Sequence, residues 1–352
     1  MSLLSEAVTQ AWYQNKKWIW LLLPLTVIFW LISHFRRVCF RLGWFKSVKV
    51  DAPVIIVGNI SVGGTGKSPL TGYLVSELKQ RGFCPGVVSR GYGGQSDHYP
   101  LIVDQNSSAS EVGDEPVMLY QMTQCPVAVD PIRSRAAKRL CDDHSCDVIL
   151  CDDGLQHYAL SRDIELCVID GKRGLGNGFL LPAGPLRESY SRIRDVDFVI
   201  VNGKNERLNL EALSDKGAGV ATLNGTPAYE MTLRPTALIN VFNGSQLAIE
   251  TLQGLDIHAM AGIGNPERFF AALRSLGANV TAQGFSDHHD FTQNDFSFED
   301  KKPIVMTHKD AVKCRALFTE SEPDNFWYLP VSADINKQFI DQLCERLALL
   351  SQ

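Results

Sequence analysis

The sequence predicts an α/β protein with a doubly wound parallel sheet, a second and smaller α/β lobe, and an N-terminal membrane helix. Three observations support this prediction. Short, continuous apolar runs alternate with helical patterns along most of the 352 residues, which is typical of parallel sheets covered by helices on both faces. A glycine-rich loop follows the first of these runs, and an uninterrupted apolar stretch lies near the N-terminus.

The N-terminal apolar stretch runs from Trp18 to Phe35 and contains no acidic residue. A helix needs roughly 17–25 apolar residues to cross a bilayer, so the stretch is just long enough. Its tryptophans suit the membrane interface, and Pro24 is tolerated in membrane helices. Basic residues are fewer before the stretch than after it: Lys16, Lys17, Arg36, Arg37, Arg41, Lys46 and Lys49. This asymmetry predicts that the chain after the anchor lies in the cytoplasm.

Three other interpretations of this stretch are open. A cleavable signal peptide is disfavoured, because Arg36, Arg37 and Val38 offer no cleavage site of small residues. A buried core helix and a helix lying within one leaflet are the other two. We predict a retained anchor.

The first lobe contains four continuous apolar runs: Val54–Val57, Val148–Cys151, Leu166–Ile169 and Phe198–Val201. Such runs are typical of parallel strands buried on both faces. Between the first two runs, Leu70, Leu74 and Leu78 follow helical spacing, and Gly82 ends the pattern. This β–α–β order predicts the doubly wound sheet.

A ribbon is predicted to join the two lobes, because apolar and polar residues alternate around Tyr229–Leu233 and a turn signal follows at Phe242–Gly244. The second lobe resumes the α/β pattern at His258–Leu273 and Pro303–Thr307. It ends in an amphipathic helix with an apolar face of Phe339, Leu343, Leu347 and Leu350. The predicted boundaries are 1–49 for the anchor, 50–228 for the first lobe, 229–245 for the ribbon and 246–352 for the second lobe.

Charge and cysteine content narrow the classes of partner and cofactor. A net charge of −5 argues against a nucleic-acid partner, which requires a basic surface. The nine cysteines form no C-x-x-C pair, which suits a reducing compartment. Cys141, Cys146 and Cys151 lie near His144, but their spacing fits no common zinc motif. We expect reduced, mostly buried thiols.

The glycine-rich loop has the features of a phosphate-binding loop, or P-loop. A buried strand would feed it, its glycines expose backbone N–H groups, and the following helix adds a partial positive charge. Lys67 can reach the β- and γ-phosphates of a nucleotide, and the Ser68 hydroxyl can bind Mg²⁺. Because Ser61 replaces the first glycine of the formal pattern, an ordinary glycine-rich turn is the alternative. The predicted nucleotide-binding residues are Ser61, Val62, Gly63, Gly64, Thr65, Gly66, Lys67 and Ser68. The first sheet is therefore predicted to be P-loop NTPase-like.

Two acidic pairs are candidates for metal-binding and catalytic carboxylates. Asp152 and Asp153 follow the apolar run Val148–Cys151, the position at which a P-loop enzyme holds Mg²⁺. A surface turn is the alternative there. Asp114 and Glu115 lie in "GDEP" before an apolar helical run, where they could also serve only as a helix cap.

Six ordered motifs make the chain resemble the tetraacyldisaccharide 4'-kinases, the lipid A 4'-kinases of Gram-negative bacteria. In chain order they are "GNISVGGTGKSP", "SRGYGG", "GDEP", "DDGLQH", "LPAGPLRE" and "FSDHHDF". The resemblance covers nearly the whole chain, and Ser61 belongs to the loop variant of that family. Ser68 departs from the expected threonine but keeps the hydroxyl. His308 stands where glutamate is usual, so we assign that position no role.

The resemblance implies that ATP and Mg²⁺ are the cofactors, and that the γ-phosphate is transferred to the 4'-hydroxyl of an acylated glucosamine disaccharide 1-phosphate. It implies two partners, the lipid A precursor and the cytoplasmic face of the inner membrane. Asp114 would be the catalytic carboxylate, His288 its partner, and Lys67 the cation at the transferring phosphate. The metal would lie among Ser68, Glu115, Asp152 and Asp153. The site would also be lined by Arg90, Gly91, Tyr92, Gly93, Gln156 and His157.

Two other classes of function are weaker. A membrane-anchored regulatory P-loop NTPase would be favoured by the guanine-specificity motif N-K-x-D, which Asn202–Glu206 matches only in part. A coupling subunit of a transporter would need an ABC signature, and "RGYGGQ" lacks the leucine-serine start. The glycine signals at Gly174 and Gly262 are incomplete as dinucleotide motifs. We therefore predict a lipid kinase.

Overall fold

The computed structural model describes residues 3–14, 16–204, 208, 211–212, 221–287, 289–318 and 322–350, which form two α/β lobes and an N-terminal helical segment. In the N-terminal segment, α1 (Leu3–Gln14) is followed by a 3-10 turn (Lys17–Leu22) and by α2 (Leu23–Arg41). The predicted P-loop NTPase-like sheet with a second, smaller α/β lobe is confirmed.

The first sheet contains ten strands that precede the second lobe in the chain. They are β1 (Val54–Gly58), β2 (Pro85–Ser89), β3 (Leu101–Val103), β4 (Val127–Val129), β5 (Val148–Asp152), β6 (Ile164–Asp170), β7 (Phe198–Asn202), β8 (Glu211–Ala212), β9 (Ala221–Leu223) and β10 (Thr226–Pro235). Their order is β3-β4-β2-β5-β1-β6-β7-β10-β9-β8. The strands from β4 to β10 in this order are parallel, and β3 and β9 pair antiparallel at the two sides.

The helices of the first lobe are α3 (Lys67–Gln80), α4 (Ala109–Val112), α5 (Asp114–Thr123) and α6 (Arg133–His144), with a 3-10 turn at Tyr190–Asp195. Every residue of the central strands β1, β5, β6 and β7 is buried. This agrees with the prediction from their continuous apolar runs, because helices cover both faces of the sheet.

The second lobe is built on a sheet of six strands in the order β12-β11-β16-β15-β13-β14. They are β11 (Leu238–Asn240), β12 (Gln246–Leu247), β13 (Asp256–Ala261), β14 (Asn279–Gly284), β15 (Ile304–Thr307) and β16 (Phe326–Leu329). The helices are α7 (Pro266–Ser275) and α8 (His308–Arg315), with 3-10 turns at Ile249–Leu252 and Gln293–Phe296.

The chain crosses between the lobes twice. After the second lobe it returns as β17 (Val331–Ile335), which pairs antiparallel with β10, and as α9 (Lys337–Leu350). Phe339, Ile340, Leu343 and Leu347 of α9 belong to the core of the first lobe. The last strand and helix therefore lie on the first sheet, although the sequence grouped them with the second lobe. The predicted domain boundaries stay a prediction.

Residues Lys17–Arg41 are long and apolar enough to cross a membrane, since an 18-residue window within them has a mean hydropathy of 1.8. They also contact the first lobe. The Thr26 hydroxyl donates to the carbonyl of Leu180 and accepts from the N–H of Ala183. Before this stretch, the Trp12 indole donates to the carbonyl of Pro182 at 2.9 Å. Chain segments on both sides of Leu21, which is 80% exposed, are thus held on the same lobe.

The nine cysteines are all free, and most of them are buried. Within the described part of the chain, no group of three His, Cys, Asp or Glu side chains is arranged to hold a metal ion.

Candidate active site

The P-loop, Ser61–Ser68, connects β1 to α3, and its shape is fixed by amide side chains. Asn59, which is fully buried, directs its Nδ2 toward the carbonyl of Gly63 and the hydroxyl of Thr65. Gly66 has a φ of 95°, the left-handed region that favours glycine. A Cβ at Gly66 would lie 2.4 Å from Nδ2 of Asn202, so only glycine fits. The loop therefore presents its backbone at the N-terminus of a 14-residue helix, which favours an anion.

The segment Leu181–Glu188, the "LPAGPLRE" motif, packs against the P-loop through backbone hydrogen bonds. The N–H of Val62 donates to the carbonyl of Pro185, and the N–H of Arg187 donates to the carbonyl of Ile60 at 2.7 Å. These backbone bonds place the side chain of Arg187 beside Asp153, at 3.1 Å. Glu188 accepts hydrogen bonds from Gln156 and Tyr158. The motif thus connects the P-loop to the predicted metal-site residue Asp153 and to the predicted site-lining residue Gln156.

Asp152 and Asp153 end β5 beside the P-loop, but their environments differ. Asp152 is 2% exposed and contacts the hydroxyl of Thr71. Burial raises the pKa of Asp152 to about 7, and the charge of Glu115 adds to this effect. Burial alone would also raise the pKa of Asp153, but Lys67 at 3.4 Å and Arg187 outweigh it and lower that pKa. Asp153 is therefore the stronger acid of the two.

The "GDEP" motif places Asp114 and Glu115 in the first turn of α5. The "SRGYGG" loop packs backbone against backbone on the turn before α5. A Cβ at Gly91 would lie 2.9 Å from the carbonyl of Val112, and one at Gly94 would lie 2.6 Å from the N–H of Gly113. Large side chains are excluded from these positions, and Asp114 is held in place with 4% exposure. Arg90 and Tyr92 of the same loop line the cleft described below.

Two lysines of α8 extend from the second lobe to these carboxylates. Lys309 Nζ lies 3.3 Å from Glu115, 3.9 Å from Asp114 and 3.8 Å from Asp287. Lys313 Nζ lies 3.5 Å from Asp114. Burial alone would lower the pKa of Lys309, but the three carboxylates outweigh it and raise that pKa. Sequence reasoning did not identify Lys309 as a site residue. The feature that could have indicated it is its position in the first turn of α8, directly after the strand β15.

The "FSDHHDF" loop contributes Asp287 to this cluster. His288, the predicted partner of Asp114, lies outside the described residues, so that pairing stays a prediction. The neighbouring His289 stacks on Phe285 and contacts Asp295 at 3.4 Å within its own lobe.

Basic groups line the side of the site near β2, β4 and α2. Arg133 is 7% exposed and donates to the carbonyl of Asp153 at 3.1 Å. Arg36 of α2 donates to the carbonyl of Gln156. Burial lowers the pKa of His157 to about 4, and the charges of Arg133, Arg162, Arg36 and Arg90 act in the same direction. Within the described chain, Nε of Arg133 and Nε2 of His157 are buried without a hydrogen-bond partner.

One cleft of about 1280 Å³ contains most of these groups. The P-loop from Gly63 to Ser68 forms one wall, and Ile263–Asn265 and Lys309 of the second lobe lie across from it. At one end the cleft is lined by Phe29 and Ile32 of α2. The cleft therefore joins the nucleotide-binding loop, the carboxylates and the apolar N-terminal helix.

The residues present fit a magnesium ion. Mg²⁺ usually takes one or two protein carboxylates and completes its shell with phosphate and water oxygens. Asp152, Glu115 and Ser68 all line the cleft, and the charge of Glu115 adds to the effect of burial in raising the pKa of Asp152. Both oxygens of Asp153 are engaged by Arg187. Asp152, Glu115 and the Ser68 hydroxyl are thus the better candidates among the four predicted metal ligands.

The cleft contains a P-loop, two carboxylates at the end of a neighbouring strand, and a side lined by arginines. Together these features define a P-loop phosphotransferase. The chain belongs to the tetraacyldisaccharide-1-P 4'-kinase family, whose profile matches residues 18–348. It is 50% identical over 327 residues to the tetraacyldisaccharide 4'-kinase of Pseudoalteromonas atlantica, with 92% of this chain and 99% of the relative covered. The corresponding kinase of Methylobacillus flagellatus is 44% identical over 353 residues, covering 99% and 98%.

A solved structure supports the same assignment. The crystal structure of LpxK from Aquifex aeolicus in complex with ATP is 28% identical, with a TM-score of 0.77, and covers 94% of this chain and 99% of that one. The predicted family, kinase class and ATP dependence are confirmed.

Proposed function

We propose that this protein transfers the γ-phosphoryl group of ATP to the 4'-hydroxyl of an acylated glucosamine disaccharide 1-phosphate, a lipid A precursor. The observation that carries the proposal is one cleft that is lined by the P-loop, Glu115, Lys309 and the apolar helix α2. Asp114 is buried directly behind this lining, next to Glu115 and 3.9 Å from Nζ of Lys309. A soluble acceptor would have no use for an apolar entrance, whereas a lipid must remain in contact with one.

The reaction forms a bond between the 4'-oxygen and the γ-phosphorus and breaks the bond from that phosphorus to the β,γ-bridging oxygen, so ADP leaves. The hydroxyl proton passes to Asp114 or through it to His288, because a positioned base assists a weak nucleophile. Lys67 neutralises charge on the transferring group. Bound Mg²⁺ would neutralise the phosphate oxygens, held by Asp152, Glu115 and Ser68.

The 1-phosphate of the acceptor would bind on the basic side of the cleft. Arg133 and His157 offer buried donors without partners in the described chain, and Arg36 and Arg90 add positive charge nearby. A phosphate monoester forms charge-assisted hydrogen bonds with such groups. Binding the far phosphate there would direct the other end of the disaccharide toward the P-loop.

The N-terminal segment would lie in one leaflet of the cytoplasmic face of the inner membrane rather than span it. Trp12 precedes the apolar stretch and Thr26 lies within it, yet both contact the segment Leu180–Ala183 of the first lobe. A spanning helix would separate these contacts. The exposed apolar side chains between them can enter the interface as those of a monotopic helix do.

The test uses the full chain in mixed micelles with ATP, Mg²⁺ and the acylated disaccharide 1-phosphate. Mass spectrometry should show one added phosphate on the lipid, at the 4' position, with one ADP formed per product. Lys67→Ala should reduce the rate about 10²–10³-fold, whereas the exposed Lys138→Ala is a control that should not change it. ADP release without lipid phosphorylation would instead indicate a regulatory NTPase.

Two arms of the same assay test the assigned roles. Asp114→Asn and His288→Ala should each lose at least about 10²-fold in kcat, and the double variant should be little worse than the poorer single one. Removing the 1-phosphate from the acceptor should raise KM in the wild type but much less in Arg133→Met. Equal KM increases for both acceptors in Arg133→Met would show that the 1-phosphate binds elsewhere.

A further inference from the structure

Arg268 connects the second lobe to the P-loop through the motif "GIGNPER", for which the sequence suggested no function. Arg268 lies in the first turn of α7, a helix whose Phe270 and Leu273 are buried in the core of the second lobe. Its guanidinium leaves that lobe and reaches two acceptors on the first lobe. Nη1 lies 3.2 Å from Oδ2 of Asp170, and Nη2 lies 2.9 Å from Oδ1 of Asn202.

Both acceptors are rigidly placed. Asp170 and Asn202 are the last residues of β6 and β7, and they are 5% and 1% exposed. Asp170 also accepts backbone hydrogen bonds from Lys172 and Arg173. A bidentate guanidinium contact to two fixed oxygens has little freedom to shift.

The contact determines which way the Asn202 amide points. Arginine has only hydrogen-bond donors, so the oxygen of the amide must face Arg268 and the NH₂ group must face away. That NH₂ group donates to the carbonyl of Thr65 in the P-loop at 2.8 Å. Arg268 and the Thr65 carbonyl thus fix the same amide orientation from opposite sides, and without Arg268 this orientation would depend on the hydrogen bond to Thr65 alone.

The Thr65 carbonyl matters because a P-loop binds phosphate through its N–H groups. A carbonyl turned into the loop would oppose the anion. The NH₂ group of Asn202 occupies this carbonyl as a hydrogen-bond donor, and it packs so closely on Gly66 that a Cβ there would overlap it. The orientation of one side chain therefore supports the nucleotide-binding form of the loop.

We propose that Arg268 is a positioning residue, which orients Asn202 so that the nucleotide-binding shape of the P-loop depends on the docking of the second lobe. The inference rests on the proposed binding of ATP at this loop. It adds a coupling between lobe contact and nucleotide affinity, since the hydrogen-bond chain Arg268–Asn202–Thr65 runs from one lobe to the other.

The experiment measures binding of a fluorescent ATP analogue with Mg²⁺ to the full-length protein, without lipid acceptor. Arg268→Ala should bind the analogue at least about tenfold more weakly, as expected for loss of a hydrogen bond to a charged group. In the complete reaction, KM for ATP should rise in parallel while kcat at saturating ATP stays within about threefold. Arg274→Ala is the matched control, because Arg274 lies on the same helix and forms its ion pair with Glu267 of that helix, at 2.6 Å.

Two further variants separate orientation of Asn202 from charge. Arg268→Lys keeps the charge but loses the two-pronged contact, so its affinity should fall between wild type and Arg268→Ala. Asn202→Asp keeps a partner for Arg268 but cannot donate to Thr65, so it should be as weak as Arg268→Ala. Wild-type affinity in Arg268→Ala, in Arg268→Lys or in Asn202→Asp would overturn the proposal. If the protein failed to phosphorylate the lipid, the measured affinity for the ATP analogue would not change. The proposed lipid kinase activity and the proposed role of Arg268 can therefore fail independently.

Discussion

Asp152 and Asp153 are adjacent in the chain, yet the pKa values of their carboxyl groups are shifted in opposite directions. The pKa of Asp152 is raised to about 7 by burial, whereas Lys67 and Arg187 lower that of Asp153. The sequence predicts both as metal-site residues but cannot distinguish them, because Arg187 comes from a segment 34 residues later. Lys309 was missed for the same reason, since it meets Asp114 and Glu115 only where the lobes touch.

His308, to which the sequence assigned no role, is a half-buried histidine with a testable effect on stability. Its Nε2 lies 3.1 Å from the amide oxygen of Gln121, and its ring stacks on Tyr328. Burial lowers the pKa of His308 to about 4, from about 6.5 in an unfolded chain. Below pH 6.5 the unfolded chain therefore takes up a proton that the folded protein does not accept until about pH 4.

The free energy of unfolding should consequently be unaffected by this residue above pH 6.5 and should fall as the pH drops from about 6.5 to about 4. The loss attributable to His308 should be about 2–3 kcal/mol. His308→Gln, which cannot be protonated, should lose stability less steeply in that window when urea unfolding is measured at several pH values. His98→Gln is the control at an exposed position. Parallel curves for wild type and His308→Gln would contradict the prediction.

At the scale of elements, continuous apolar runs were sufficient to predict the buried strands. The runs at Val54–Val57 and Phe198–Val201 lie within β1 and β7. β2 and β4 were harder to predict, because β2 begins with proline and glycine and β4 has only three residues. In α9 the predicted apolar face is correct except that Leu350, at the last turn, is 45% exposed.

The N-terminal element can be tested as a membrane-binding surface. Leu31 of α2 is 54% exposed, so burial of its side chain in lipid would contribute about 1.5–3 kcal/mol to membrane binding. Leu31→Asp should therefore bind anionic phospholipid vesicles at least about tenfold more weakly in a flotation assay. Leu349→Asp, at an apolar position of α9 that is 71% exposed, is the matched control. The same loss in both variants would show that the effect is not specific to α2.

The proposed one-leaflet arrangement has its own observable in the same preparation. An epitope placed before Leu3 should be accessible to protease from the cytoplasmic side of inverted membrane vesicles, together with a C-terminal epitope. This follows because Trp12 contacts the first lobe. An N-terminal epitope that is protected while the C-terminal one is cleaved would indicate a spanning helix.

At the scale of the whole molecule, each lobe depends on segments that are distant in the chain. β10 pairs with β17 across a separation that includes the entire second lobe. The cleft combines the P-loop with Asp287 and Lys309, and Arg268 fixes a side chain next to that loop. Sequence patterns predicted the motifs on each lobe. They could not predict which side chains meet between the lobes, because contacts between segments that are distant in the chain leave no periodic pattern in the sequence.

The return of α9 predicts that a substitution near the C-terminus will destabilise the nucleotide-binding lobe. Leu343 is fully buried in the same core as Leu70 of the P-loop helix, so Leu343→Ala should lower the free energy of unfolding by about 2–5 kcal/mol. In hydrogen exchange, amides of β1 and β5 should lose protection while those of β13 and β15 keep theirs, because local stability follows the core that is damaged. Leu349→Ala, at a 71% exposed position on the same helix, should change neither set. If the amides of β13 and β15 were the ones to lose protection, α9 would belong to the second lobe in solution, as the sequence grouping had placed it.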